Sequence, residues 1–125
     1  MLRIVLVTSL PESVHSFAEA LTAEPEVRLD RVSSGSEALS LARTLSPHLV
    51  VIDTDLPDIK PLTLVQELLA VNAMVNTALI SPLSEEEFHE ASEGLGVLAR
   101  LPVNPGRSDA AELLNKLRSV LGLMP

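Results

Sequence analysis

The chain contains no cysteine, tyrosine or tryptophan. Without cysteine it can form no disulfide bond, zinc-thiolate site or catalytic thiolate, and such a composition is typical of a reducing compartment, so we expect a cytoplasmic protein. Basic residues are also scarce, because 9 Lys and Arg stand against 17 Asp and Glu. With no basic cluster and no aromatic platform, direct binding to nucleic acid is not expected.

Several motifs of enzymes and membrane proteins are missing as well. There is no nucleophile elbow, no phosphate-binding P-loop and no glycine-rich dinucleotide fingerprint, which favours a non-enzymatic protein. The histidines are scattered without metal-ligand spacing, at His15, His48 and His89. The apolar start of the chain is too short to span a membrane and is typical of a strand, so we expect no membrane segment.

What is present is a regular alternation of buried-strand and helix patterns. The length of 125 residues, 46% of them hydrophobic, suits a single domain over residues 1–125. Apolar runs predict strands at 2–7, 27–32, 49–52, 75–81 and 97–100, with a helix after each and a short tail at 122–125. This alternation predicts a parallel sheet covered by helices on both faces, with function at the carboxyl ends of the strands.

Helix starts can be proposed from capping residues. Ser34 and Glu37 have the spacing of a capping box, and the glutamates after Ser84 place negative charge in a first turn, where the helix dipole favours it. Ser108 is the expected cap of the last helix. That helix is expected to pack through Leu113, Leu114, Leu117, Val120 and Leu121.

Polar and special residues follow the predicted strands at their carboxyl ends. They are Thr8 and Ser9 after the first strand, Asp53 after the third, Ser81 after the fourth, and Leu101 and Pro102 after the fifth. The segment LVVIDTDLPD resembles the signature of response-regulator receiver domains, in which the phosphoacceptor aspartate ends an apolar strand and a Leu-Pro or Met-Pro pair follows. Further stretches, SSGSEALSLARTLSPHLVVID and GLGVLARLP, extend the resemblance over essentially the whole chain.

The resemblance implies a CheY-like, flavodoxin-like (βα)5 fold with strand order 2-1-3-4-5. It also implies a place in bacterial two-component phosphorelay signalling, with Asp53 as the phosphoacceptor. In the family, Ser81 corresponds to a switch hydroxyl. Pro102 corresponds to a proline that follows a cis peptide bond.

The metal-binding part of the family pattern is altered. Receivers hold Mg²⁺ with an acidic pair after the first strand, the phosphoacceptor and a backbone carbonyl two residues later. Here Thr8 and Ser9 occupy the acidic-pair positions, which leaves Asp53 and the backbone of Asp55. Because Mg²⁺ prefers anionic oxygen ligands, we expect no cofactor or only weakly bound Mg²⁺.

Two further family positions on the fifth strand are replaced. Leu101 stands where a lysine would pair with the phosphoryl group, and Leu98 stands at the switch aromatic. The neighbouring Arg100 is not expected to substitute for the lysine, because adjacent strand residues point to opposite faces.

Three functions remain open from the sequence. The first is an atypical receiver with weak or no Mg²⁺-dependent phosphorylation, which contacts a histidine kinase, an effector or a second copy of itself through the face of helix 4, strand 5 and helix 5. The second is a working receiver phosphorylated on Asp53 by a histidine kinase, and the third is a small-ligand domain, which residues 8–12 disfavour because they lack glycine. A purely structural interpretation also stands, in which Thr8, Ser9 and Asp53 only cap the turns that follow them.

Overall fold

In the computed structural model, which describes residues 1–122, five parallel strands form one sheet with the order β2-β1-β3-β4-β5. The strands are β1 (Leu2–Val7), β2 (Val27–Val32), β3 (Leu49–Ile52), β4 (Asn76–Ile80) and β5 (Ala99–Leu101). The doubly wound fold and strand order expected from the sequence are therefore confirmed. Residues 123–125 of the expected tail lie outside the described part of the chain.

The helices connect consecutive strands. They are α1 (His15–Thr22), which a 3-10 turn precedes, α2 (Gly35–Leu45), α3 (Pro61–Val71), α4 (Glu85–Ala91) and α5 (Arg107–Val120). Within residues 1–122, no helix combines the length and the apolar character that crossing a membrane requires.

Side-chain alternation along the strands divides the core into two layers. In β1, Ile4 and Leu6 belong to the layer that α1 and α5 cover, whereas Val5 and Val7 belong to the layer under α2 and α3. All four side chains are at most 1% exposed. Burial of each such side chain stabilises the fold by about 1.5–3 kcal/mol, so the two-sided core fixes the register of the sheet.

The start and the last turn of α5 differ from the sequence prediction. Gly106, not Ser108, is the N-cap, because the carboxylate of Asp109 accepts a hydrogen bond from Gly106 N at 2.8 Å. Val120 is 56% exposed, whereas Leu121 packs against the core as predicted. The prediction for Val120 was wrong because several positions near a helix end satisfy the same apolar spacing.

Candidate functional site at the carboxyl edge of the sheet

The candidate site is a row of side chains across four neighbouring strands. Thr8, Asp53 and Ile80 each follow by one residue the paired Val7, Ile52 and Leu79 of β1, β3 and β4. Ile80 in turn pairs with Leu101 of β5. Asp53 N donates to Val7 O at 2.9 Å, so the parallel pairing continues to the aspartate itself. Asp53 therefore lies between a hydroxyl residue on one side and apolar residues on the other.

The carboxylate of Asp53 is buried and has its own donors. Only 8% of the residue is exposed. Its Oδ2 accepts a hydrogen bond from the Thr8 hydroxyl at 2.6 Å, and its Oδ1 accepts one from Thr54 N at 2.7 Å. Among residues 1–122, no lysine or arginine forms an ion pair with this carboxylate. The Thr8 hydroxyl and the Thr54 amide therefore supply the hydrogen bonds that a buried carboxylate requires in place of water.

Thr8 and Ser9 connect the loop after β1 to the loop after β3. The Thr8 hydroxyl donates to Asp53 and also accepts from Leu10 N at 3.0 Å, so it serves as a local cap at the same time. The Ser9 hydroxyl donates to the backbone carbonyl of Asp55 at 3.2 Å. The two hydroxyls thus contact the two groups that the resemblance implies as metal ligands.

These residues do not fit a Mg²⁺ site. The ion prefers several anionic oxygens, but Thr8 and Ser9 supply neutral hydroxyls, which donate to Asp53 Oδ2 and Asp55 O and leave Asp53 as the one anionic side chain among the expected ligands. The described residues also contain no group of three or more His, Asp or Glu side chains that could hold a metal ion.

The end of β4 is held by hydrogen bonds of its own. Ser81 is 9% exposed, and its hydroxyl accepts from Leu83 N at 3.2 Å. Arg100 Nη1 donates to Ser81 O at 3.2 Å, and Arg100 Nε donates to the carboxylate of Glu85 at 3.2 Å. Arg100 therefore contacts the start of α4 and makes no hydrogen bond to Asp53, as the alternation of strand side chains predicts.

The replaced positions on and near β5 are apolar core. Leu101 is 4% exposed and belongs to the layer under α1 and α5, and Leu98 packs against the same layer. In place of the family's lysine charge, this position supplies packing. Neither side chain can donate a hydrogen bond to a group on Asp53.

The prediction of a cis peptide bond before Pro102 is wrong. Every peptide bond in the described residues is trans, the form that X-Pro bonds favour by about 0.5–1 kcal/mol. The loop turns two residues later, at Asn104, whose φ of 58° lies in the left-handed region. Asparagine tolerates this conformation, so the loop can turn without a cis bond.

Asp58 is a polar anchor that sequence reasoning missed. Its carboxylate accepts from Gly35 N at 2.9 Å and from Ser36 N at 3.0 Å, at the start of α2. These hydrogen bonds hold the pKa of Asp58 below its ordinary value. The sequence gives no local pattern for the role of Asp58, because its carboxylate contacts backbone amides that lie 22 and 23 residues earlier in the chain.

The capping box expected at Ser34 is half formed, because Ser34 Oγ accepts from Glu37 N while the Glu37 carboxylate accepts from serine hydroxyls.

Comparison with known proteins bears on the fold. No family model and no curated protein matches this sequence. A CheY-like receiver domain protein from Methanospirillum hungatei is similar in structure, with a TM-score of 0.83, 18% identity and 98% coverage of both chains. CheY4 of Vibrio cholerae matches with a TM-score of 0.82, 13% identity, and coverage of 94% of this chain and 98% of the other.

A third structure agrees with these two. The response regulator domain of Thermotoga maritima CheB matches with a TM-score of 0.79 and 19% identity, covering 100% of this chain and 99% of the other. At such identities the likeness shows the receiver fold and leaves the chemistry to individual residues.

Proposed function

We propose that this chain is an atypical receiver-type module of two-component signalling, which acts by protein contact without Mg²⁺-dependent phosphorylation of Asp53. The observation that carries the proposal is the hydrogen bond of 2.6 Å from the Thr8 hydroxyl to Asp53 Oδ2. Receivers carry at the position of Thr8 an acidic residue that helps to hold the cation, whereas this chain has a hydroxyl there. The receiver fold supports the signalling class.

The chemistry of phosphoryl transfer explains why this contact matters. A carboxylate oxygen must be free to attack phosphorus, and a cation must neutralise charge on the transferring group. Here each oxygen of Asp53 has a donor, and Leu101 supplies no charge. We therefore expect no detectable labelling of Asp53 by a phosphoryl donor.

The proposed contact surface is the face of α4, β5 and α5. Helix α4 buries Phe88 and exposes its other residues, including Glu85, Glu86 and Glu87. Val120 on α5 is 56% exposed. The acidic surface of α4 suits a protein partner with a basic rim, such as a kinase or a downstream effector. We propose that this contact is made in the cytoplasm, in line with the cysteine-free composition.

A second candidate function is a working phosphoacceptor. It is favoured by the position of Asp53 at the end of β3 and of Ser81 at the end of β4, where receivers carry their acceptor and switch hydroxyl. It requires the Thr8 hydroxyl to release Asp53 Oδ2 when a phosphoryl donor and Mg²⁺ arrive.

Intact mass after incubation with acetyl phosphate and Mg²⁺ separates the two. The native chain and the Asp53→Asn variant are compared, with a conventional receiver in the same tube as a positive control. We expect the conventional receiver alone to gain a phosphoryl group. A gain in the native chain that the Asp53→Asn variant lacks would establish the working phosphoacceptor and reject our proposal.

A further inference from the structure

Direct side-chain hydrogen bonds cross-link the strand ends at the carboxyl edge of the sheet. Thr8 to Asp53 and Ser9 to the Asp55 carbonyl join the loops after β1 and β3, across 45 and 46 residues of chain. The Thr54 hydroxyl then donates to Ile80 O at 3.0 Å and joins the loop after β3 to β4. The loop after β3 is therefore tied to both neighbouring strands.

The cross-links between β1 and β3 use the same positions at which a receiver would share one divalent cation. A cation holds such loops together by charge, and only while it is bound. The hydroxyls hold them by neutral donors, and the bond from Thr8 to a buried carboxylate belongs to the stronger, charge-assisted class. The hydrogen bonds of Thr8 and Ser9 therefore differ in kind from the metal site that the receiver fold implies.

We propose that Thr8 and Ser9 form a brace that replaces the cation and holds this edge in one arrangement at any Mg²⁺ concentration. The inference builds on the proposed function, because a partner surface that needs no phosphoryl signal also needs no cation to order it. Its physical basis is independent of any partner. The brace consists of the hydrogen bonds from Thr8 to Asp53 and from Ser9 to Asp55.

The first test measures cation binding by amide NMR during titration with Mn²⁺, whose unpaired electrons broaden nearby signals. In the native chain we expect Mn²⁺ to cause no specific broadening around Thr54. The Asp53→Asn spectrum should therefore respond to Mn²⁺ in the same way. In the double variant Thr8→Asp/Ser9→Asp, three carboxylates meet at this edge. We expect Mn²⁺ broadening there, and a melting temperature that rises with Mg²⁺ concentration.

Two results of that titration would overturn the brace. One is a native Mn²⁺ footprint around Asp53 that disappears in Asp53→Asn. The other is a folded double variant that shows neither Mn²⁺ broadening nor a melting temperature that rises with Mg²⁺. Carboxylates at positions 8 and 9 would then bind no cation, so the hydroxyls would not stand in for one. If the double variant does not fold, the native footprint and the exchange experiment below still decide the question.

The second test measures hydrogen exchange of single amides in Thr8→Val. The Leu10 amide loses its acceptor and the Asp53 carboxylate loses its donor, so we expect exchange at Leu10 and Thr54 to quicken about tenfold or more. Thr44→Val is the matched control, because it removes a hydroxyl from the exposed face of α2. Leu10 reports the local cap and Thr54 reports the Asp53 carboxylate, so unchanged exchange at Thr54 in Thr8→Val would overturn the brace.

The brace and the proposed function fail in different ways. A phosphoryl gain on native Asp53 without a cation footprint would reject the proposed function and leave the brace standing. A native cation footprint without any phosphoryl gain would reject the brace and leave a contact-based function standing.

Discussion

Replacing Thr8 with valine should lower the free energy of unfolding by about 2–3 kcal/mol. Valine keeps the shape of threonine but removes the donor to Asp53 Oδ2, a bond of 2.6 Å to a residue that is 8% exposed. Hydrogen bonds to charged groups contribute about 1.5–3 kcal/mol, and the upper part of this range applies because Oδ2 of a buried carboxylate loses its donor, while Oδ1 keeps the Thr54 amide. Leu10 N also loses its acceptor.

Urea unfolding at pH 7 measures this effect. With a denaturant slope of about 1–3 kcal/mol per molar, a loss of this size should lower the midpoint by roughly 0.7–3 M, which is large for a domain of ordinary stability. Thr44→Val is the control, and we expect it to stay within about 0.5 kcal/mol of native because its hydroxyl is exposed.

A double-mutant cycle with Asp53→Asn assigns the loss to the contact itself. If the hydroxyl and the carboxylate bond each other, Thr8→Val and Asp53→Asn should couple by about 1–2 kcal/mol. The reasoning is refuted if Thr8→Val is no more destabilising than Thr44→Val, or if the two substitutions are additive.

Three further predictions concern the surroundings of the site. Asp58→Asn should lower the urea midpoint more at pH 7 than at pH 3, because a carboxyl whose folded pKa lies below 3.8 stabilises the fold fully above 3.8 and loses this effect as the pH falls through the folded pKa. Asp55→Asn, which changes an exposed side chain, is the control, and an equal effect at both pH values would contradict the expectation. Gly35→Ala should destabilise by about 1–3 kcal/mol, because its Cβ would lie 2.2 Å from Ile59 Cγ2; the double variant with Ile59→Ala should lose less than the sum in thermal unfolding. Leu101→Ala should destabilise by about 2–5 kcal/mol and Leu101→Met by less than about 1.5 kcal/mol, so similar melting temperatures for the two would show that Leu101 is not core.

The strands and the place of Asp53 could be predicted from the sequence because they depend on local pattern. The bounds expected for β1, β2 and β3 agree with the structure, since continuous or alternating apolar residues reveal which positions are buried. The strand β5 begins later than expected, at Ala99, because a short apolar run next to turn residues leaves its start open. Parallel strands end at one edge, so the residues that follow them could be assigned to one site.

Only the tertiary structure decided what those site residues contact. The bonds from Thr8 to Asp53 and from Asp58 to the start of α2 join segments 22 to 45 residues apart. Spacing along the chain carries no information on them, because periodicity reports burial and not which hydroxyl meets which carboxylate. The sequence by itself therefore determined a receiver-like sheet with Asp53 at its edge. Folding decided that the Thr8 hydroxyl donates to this aspartate, because the register of β1 against β3 brings the two residues within hydrogen-bonding distance.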